Sequence, residues 1–480
     1  MAQCGALLTA GILRGPLKGA PPYARHAICL VLGLFTGYFC FGKKAIHLAL
    51  LPVICFFLMK TAPERVMANS VLGVAIAYLS CIHLHRQFYL EESTNLDITG
   101  PLMIITQRVT SVAFWVHDGR EKCGDANSTK PNRDNGGHEA LPKLPSPLEF
   151  FSYSLAFQTL LCGPALTYVL YKDFIYNKAS EAQIADEPNR KRAIWGKLLG
   201  AAGAASLHLM LAPKYPINYL SSEPPSEWSS MYLLWFCYLA TLAVRCKYYL
   251  AWLLADAVCN NAGIGYRAPA KWDQVSNVDI IGFETADTFR EAVAKWNPGT
   301  GQWLRLSVYT RVKSAKLLKT YALSAIWHGF YPGYYLTFAT GALFTLAARK
   351  VRKFAQPFAW STGKVYNALA FTLTRVFMTY ATVPFVLLDL APSIALYRRV
   401  YFSLHWVALG ALLLPTPAHP ARHHSNGDAN LTSSNNYTNH TNSNNHTNSN
   451  NHTNSNNHTN HITSNNTNGA NHTNGKIKAA

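Results

Sequence analysis

His26-Ala27-Ile28-Cys29-Leu30-Val31-Leu32-Gly33-Leu34-Phe35-Thr36-Gly37-Tyr38-Phe39-Cys40-Phe41-Gly42 runs from Ala27 onward without an acid or a base. An α-helix needs roughly twenty such residues to cross the hydrocarbon of a bilayer. Outward from this run, similar stretches fall at 45–59, 68–90, 101–117, 150–171, 193–212, 229–257, 316–330, 331–348, 366–390 and 396–414. Backbone in lipid must satisfy its own hydrogen bonds, so helices are the expected spanning structure. The pattern predicts an all-α polytopic membrane protein with about ten transmembrane helices. They occupy residues 26–417, after a short N-terminal segment, 1–25, and before a low-complexity tail, 418–480. The runs at 45–59, 101–117 and 316–330 are short or polar-interrupted, as tilted, re-entrant or interior helices are.

Composition agrees. Of 480 residues, 49% are hydrophobic and 14% charged, where a soluble domain carries about a quarter charged. The net charge is +19, which in a soluble chain would suggest nucleic acid. Here the bases lie between apolar runs, as at Lys43-Lys44, Arg190-Lys191-Arg192 and Arg349 to Lys353. That placement fits cytoplasmic loops and anionic lipid, and no nucleic-acid partner is expected. Ten cysteines are scattered with no CxxC pair, so neither a zinc site nor a dithiol redox motif is expected. Residues 1–25 lack a sustained apolar core, so insertion is expected from an internal helix rather than a cleaved signal.

Residues 119–147 read as a loop, and 261–300, with Trp272, Trp296 and several prolines and glycines, as a folded loop or short interfacial helices. The hexad Ser-Asn-Asn-His-Thr-Asn occurs at 443–448, 449–454 and 455–460. It has nothing apolar to bury and reads as disordered. Sequons such as Asn430-Leu431-Thr432 would matter only in a lumenal tail. Lys476 and Lys478 resemble a dilysine endoplasmic-reticulum retrieval signal, which must face the cytosol. The expected placement is a multi-pass protein of the endoplasmic reticulum membrane with a cytosolic tail.

The chain has no Gly-x-Ser-x-Gly elbow, Walker loop, His-Glu-x-x-His or His-x4-Asp pattern. No metal and no cofactor are expected. The candidate for chemistry is His328, inside Leu323-Ser324-Ala325-Ile326-Trp327-His328-Gly329-Phe330-Tyr331-Pro332-Gly333-Tyr334-Tyr335. An ionisable group at membrane depth is costly and marks a functional site by default. An apolar setting favours the uncharged ring, the form a general base needs. Gly329, Pro332 and Gly333 would break the helix and open space. Set against this is a buried histidine bonded to a neighbour. Ser324 lies one turn earlier, but nothing else resembles a hydrolase. His117-Asp118 reads as a dyad or a helix cap, His83 and His85 as interfacial, and His208 and His405 as satisfied core residues. A second polar feature is Asn297, between Trp296 and Trp303. After it, residues 300–353 carry nine Lys or Arg and no acid. That run is either a cytoplasmic flank or a set of contacts to a phosphate-bearing cosubstrate such as coenzyme A.

These stretches resemble the membrane-bound O-acyltransferase family, in its branch of lysophosphatidylethanolamine and lysophosphatidylserine acyltransferases. The matching residues are Gly100 to Ile104, Val116-His117-Asp118-Gly119, Leu148-Glu149-Phe150 through Cys162-Gly163-Pro164, and Lys247-Tyr248-Tyr249 with Trp252 to Ala257. They continue with Trp296-Asn297, Leu323 to Tyr335, Val383-Pro384-Phe385-Val386 and Pro392-Ser393. The resemblance covers about 24 to 417. It implies a multi-helix fold with an intramembrane tunnel, and places the family's asparagine and histidine at Asn297 and His328. Acyl-CoA would enter as cosubstrate from the cytosol and the lysophospholipid from the bilayer. The resemblance also implies a further transmembrane segment before His26, where this chain has 25 residues, as a shortened form would. Pro298 after Asn297 departs from the family pattern.

The expected activity is re-acylation of lysophospholipids, with His328 as base and Asn297 orienting a substrate, polarising the carbonyl or steadying the oxyanion. An acyltransferase with a protein or sterol acceptor is one alternative and a transporter the other. Paired broken helices in two matching halves would mark a transporter, and none are seen.

Overall fold

The computed structural model describes residues 2–89, 96–124, 140–221, 225, 227–355 and 363–415, with backbone alone at 122–124. The tail, with its hexads, sequons and Lys476/Lys478 pair, lies outside the described residues, as does most of the loop expected at 119–147. Regular structure among the described residues is helical. Two isolated bridges, Arg267 with Lys271 and Val278 with Trp296, stand outside it.

The first helices are α1 (Ala2–Arg14), α2 (Pro22–Phe41), α3 (Ile46–Thr61), α4 (Glu64–Tyr89) and α5 (Thr99–Gly124). Then follow α6 (Pro147–Ser154), α7 (Tyr168–Ile175), α8 (Glu181–Ala185), α9 (Glu187–Leu211) and α10 (Ser230–Ala262). Three short helices, α11 (Ile280–Glu284), α12 (Phe289–Lys295) and α13 (Pro298–Leu304), lead into a π-helical turn, Arg305–Tyr309. The chain continues through α14 (Lys316–His328), α15 (Pro332–Ala355), α16 (Lys364–Leu387), α17 (Leu390–Arg399) and α18 (Ser403–Leu412).

Four stretches, Pro22–Thr61, Glu64–Tyr89, Glu187–Leu211 and Lys364–Leu387, are long and apolar enough to cross a bilayer. Phe35, Phe39, Leu199, Met210 and Leu369 point outward from them, the arrangement lipid stabilises and water penalises. The molecule is an all-α, multi-pass membrane protein.

The polar interruptions at 101–117 have a simple cause. On α5, Leu102, Ile105, Val109, Val112 and Ala113 are buried, and so are Thr106, Gln107, Arg108 and Thr110. Protein surrounds this helix, so its polar residues face other parts of the chain rather than lipid: Gln107 Nε2 donates to Thr300 Oγ1 and Arg108 Nη1 to the Ser154 carbonyl.

Two expected helices are broken. The run 150–171 forms α6 and α7 with irregular backbone at 155–167, around Gln158, Thr159 and Gly163-Pro164. Such backbone is tolerated at depth when protein encloses it, and Ala156, Phe157 and Leu160 are buried. The run 396–414 splits where Tyr401 and Phe402 take positive φ (55° and 52°), separating α17 from α18. The loop expected at 261–300 is folded and carries α11 and α12. Residues 2–14 add a helix that buries Ala6, Ala10 and Leu13 and packs against α10, whose Asn261 Nδ2 donates to the Leu7 carbonyl (2.8 Å).

One packed mass joins α1–α7 with Trp303 and Trp327. A second joins α10 with α15–α18 through Phe236, Phe344, Tyr380 and Tyr397. Trp303 and Trp327 belong to the helices that carry the site.

Candidate functional site

His328 is the last residue of α14. Gly329 stops the helix with φ +119°, a region side chains other than glycine rarely adopt. A Cβ there would also come within 3.1 Å of His83 Nδ1. The turn is held from two sides: Trp327 Nε1 donates to the Met103 carbonyl of α5 (3.1 Å), and His83 Nε2 of α4 donates to the Trp327 carbonyl (3.1 Å). The start of α15 closes on the end of α16, with Gly333 N donating to Leu388 O at 2.6 Å. A Cβ at Gly333 would overlap the Pro384 carbonyl. That close approach sets Tyr334 and Phe338 against Phe385.

These rings wall in the imidazole. Centroid distances from His328 are 4.7 Å to Trp327, 5.0 Å to Phe385, 5.2 Å to Phe338 and 5.8 Å to Tyr334. The side chain is half-buried, and no described residue hydrogen-bonds either ring nitrogen. The free nitrogens can therefore meet the hydroxyl of a substrate.

Asn297 sits at the start of α13 in the left-handed region (φ 48°, ψ 59°), which asparagine tolerates better than most residues. Its Oδ1 accepts from Thr300 N (3.2 Å), capping the helix. Pro298 occupies the first helical position, where its missing N–H costs nothing. The departure from the family pattern is thus accommodated locally. Trp296 before it is packed against Trp252 (5.0 Å), Phe283 (5.1 Å), Tyr248 and Tyr249 (both 6.0 Å). Helix α13 is pinned to α5 by Gln107 Nε2 donating to Thr300 Oγ1 (2.7 Å) and Trp303 Nε1 donating to Thr110 Oγ1 (2.9 Å). Trp303 and Trp327 lie 5.6 Å apart, so the helices carrying Asn297 and His328 are neighbours through their tryptophans. No hydrogen bond or ring contact joins Asn297 to His328 directly.

A cleft of about 60 Å³ opens beside α13, lined among others by Gln107, Arg108, Gly299, Gln302, Trp303 and Arg305.

The other polar candidates have structural partners. Asp118 gives both oxygens to Arg311 (3.0 and 2.7 Å), leaving only a 3.4 Å approach to His117. His117, Asp118 and Glu121 bring donor atoms within 4.8 Å of one another, but that ion pair occupies the carboxylate between them. His208 Nδ1 meets the Ala243 carbonyl at 2.8 Å. His405 is bonded through both nitrogens, to Tyr380 Oη (2.8 Å) and Thr340 Oγ1 (3.2 Å). Ser324 is buried on α14, one turn before His328.

Sequence reading missed His83, assigned to the interface and found inside. A signal existed: Met67, Val71, Ala75, Leu79 and His83 form the buried stripe of α4 at intervals of four. It also missed Gln107 and Arg108, because interior polar residues follow no hydrophobic period.

The sequence matches the model of the MBOAT, membrane-bound O-acyltransferase family over residues 35–388. It is 42% identical to "Lysophospholipid acyltransferase 6" of Drosophila melanogaster, over 90% of this chain and 64% of that protein. It is 34% identical to "Membrane-bound glycerophospholipid O-acyltransferase 1" of Mus musculus, over 85% of this chain and 86% of that protein. To "Membrane-bound glycerophospholipid O-acyltransferase 2" of Rattus norvegicus it is 35% identical, over 89% and 86%. The chain thus spans just under two thirds of the fly relative.

Proposed function

The chain belongs to the membrane-bound O-acyltransferase family, and from that premise we propose that it moves an acyl group from acyl-CoA to the free hydroxyl of a lysophospholipid. The observation that carries the proposal is an imidazole walled by four aromatic rings, with no described partner for its nitrogens. The lysophospholipid oxygen attacks the thioester carbonyl carbon while His328 takes its proton. The carbon–sulfur bond then breaks, and the departing coenzyme A thiolate receives that proton from the imidazolium. No acyl-enzyme is needed. The Asn297 amide has its oxygen engaged by the Thr300 N–H. Its –NH₂ is the group left to face a substrate oxygen, as an orienting or oxyanion donor.

Acyl-CoA would reach this point from the cytosol and the lysophospholipid from the bilayer. The location proposed is the endoplasmic reticulum membrane with the tail on the cytosolic side.

The test is one labelled acyl-CoA offered to the purified chain with a panel of lysophospholipids, a sterol and a peptide. Label should enter a diacyl phospholipid, and thiol release should depend on the lysophospholipid. Transfer to the sterol or peptide alone would move the assignment to another acceptor. Unchanged acyl-CoA with every acceptor would remove the enzymatic reading.

A further inference from the structure

The loop that presents Asn297 is fastened from behind by one carboxylate. Glu284, the last residue of α11, is largely buried. Its Oε1 accepts from Arg245 Nε (2.9 Å) and Tyr249 Oη (2.7 Å), both on α10. Its Oε2 accepts from Arg245 Nη2 (3.3 Å) and faces Arg375 Nη1 of α16 at 3.5 Å. Two guanidiniums thus share one carboxylate. Both also lie against Phe283, with Cζ 5.7 Å (Arg245) and 5.5 Å (Arg375) from the ring centroid. Phe283 and Tyr249 are two of the rings packed on Trp296, the residue before Asn297. A buried ion pair is often no more stabilising than apolar residues of the same volume. What this one adds is direction, because it fixes the rings that hold Trp296.

Helix α16 meets the site twice. Midway along it, Arg375 Nη2 donates to the Ala286 carbonyl (3.4 Å) and Thr374 Oγ1 to the Asp287 carbonyl (2.9 Å), so the chain after α11 is held as well. Met378 packs on the cluster of Phe283, Ala286 and Ala292 that also takes Trp296. Toward the C-terminus of the same helix, Phe385 stands 5.0 Å from the His328 ring. Just past its end, Leu388 O accepts from Gly333 N. Asn297 and His328 share no bond or ring contact. They are related through the tryptophans Trp303 and Trp327 on one side and through α16 on the other. An α-helix has a fixed rise per residue. A clamp at the middle of α16 therefore sets the Asn297 loop at a fixed distance from the ring that walls His328.

We propose that Glu284 is a positioning residue for acyl transfer: it ties the loop carrying Asn297 to α16, the helix that walls His328, and so fixes where the amide stands relative to the imidazole. The proposal rests on the acyltransferase reading. Among the described residues no bond joins Glu284 to Asn297 or His328, so it acts through the loop and not on a substrate. Misplacing a catalytic group by about 1 Å costs on the order of 10²-fold in rate. Glu284→Gln keeps the length of the side chain and removes the charge that two guanidiniums share, leaving like charges side by side. Arg375→Lys keeps the charge and loses the planar fork that spans Glu284 and the Ala286 carbonyl. Tyr249→Phe removes one hydrogen bond and leaves the ring on Trp296.

The experiment uses the full chain in phosphatidylcholine vesicles. Glu284→Gln, Arg375→Lys and Tyr249→Phe are each made in the wild-type and in the Asn297→Asp background, with Lys60→Glu as a remote control. Rates against acyl-CoA and lysophosphatidylethanolamine are expressed per folded molecule. In the wild-type background kcat should fall about tenfold or more in Glu284→Gln and less in the other two, with both KM values within about twofold. In the Asn297→Asp background the same substitutions should cost less than about twofold more, because the amide they displace is already gone. Lys60→Glu should match wild type. A merely structural carboxylate would lower the folded fraction and leave kcat per folded molecule unchanged, and that result overturns the proposal. Equal falls in the two backgrounds overturn it as well. Should Glu284→Gln not fold, Arg375→Lys and Tyr249→Phe complete the same cycle. Amide hydrogen exchange over 289–304 reads the tie without turnover and should quicken in Arg375→Lys. An inactive wild type in which that exchange still quickens breaks the acyltransferase reading alone. Exchange that stays at the wild-type level defeats the tie whatever the rates, and with an inactive wild type it defeats both.

Discussion

His328 and His405 invite comparison. Each is an imidazole on an apolar helix, and each is walled by four rings. Those around His405 are Tyr397 (5.0 Å), Tyr380 (5.3 Å), Phe402 (5.8 Å) and Phe344 (6.0 Å). They differ in what their nitrogens do. Both nitrogens of His405 bond to hydroxyls of neighbouring helices, stitching α18 to α15 and α16. His328 bonds to nothing described. It is the last residue of its helix, and the turn around it is held by His83 and Trp327 rather than by its own ring. A satisfied histidine contributes stability, whereas one held in place by others, with its nitrogens free, is available for chemistry.

The largest expected effect breaks the comparison if it is wrong. His328→Ala should insert and fold like wild type but lose acyl transfer by about 10²–10⁴-fold in kcat, the range for a removed general base. Near-normal turnover by that variant, measured with labelled acyl-CoA in microsomes, would make the two histidines equivalent. Next is Asn297→Asp. Aspartate keeps an oxygen for the Thr300 N–H, so the cap survives while the –NH₂ donor is lost. Activity should fall about 10²–10³-fold if the amide steadies the oxyanion, with little change in melting temperature. Asn297→Ala should add a cap loss of about 0.5–2 kcal/mol, so a variant pair equal in both readouts would reduce Asn297 to a cap.

His405→Ala is the mirror experiment. It leaves the buried Tyr380 hydroxyl without its partner, which should cost about 1–3 kcal/mol of stability. Lysophospholipid acylation per folded molecule should stay close to wild type. Loss of turnover without loss of melting temperature would reverse the roles assigned here.

The smallest effect lies in the loop that presents Trp296 and Asn297. Burial alone would raise the Asp279 carboxyl. The Lys295 ammonium (2.8 Å) and the Gly282 N–H (2.9 Å) outweigh it and hold the group below the usual carboxylate range. A depressed folded-state value contributes stability above the ordinary carboxylate pKa, and that contribution is lost as pH falls through the folded value. Both side chains of the pair are more than a third exposed, so the effect is small and screened by salt. Asp279→Asn should lower the melting temperature slightly at neutral pH, and the gap should close on acidification. A gap that widened in acid would mean that this carboxylate does not hold the loop.

Much of this molecule was legible in its residues. Apolar length announced the helices, and the broken segment around Gly329, Pro332 and Gly333 announced where a helix would end beside an imidazole. Less legible were the breaks in two long apolar runs. Hydrophobic length does not distinguish a straight helix from short helices joined by enclosed irregular backbone, as at 155–167. The interior polar residues of α5 were unreadable for a related reason. Gln107 and Arg108 look like interruptions of a span until the neighbours that bond them are known. His83 lay between these cases, since its stripe was present but a charged neighbour, Arg86, suggested a water-facing end.

By itself the sequence determined the class of the molecule, a helical membrane protein with one marked histidine. The reason is that the cost of placing unpaired backbone or an ionisable ring in hydrocarbon is large and local, so composition along the chain reveals it. Tertiary structure alone decided which histidine keeps its nitrogens free and that an arginine held by Ser154 and Thr159 rather than by a carboxylate lines a cleft. Those depend on the direction of single hydrogen bonds between residues far apart in the chain, about which residue order carries no information.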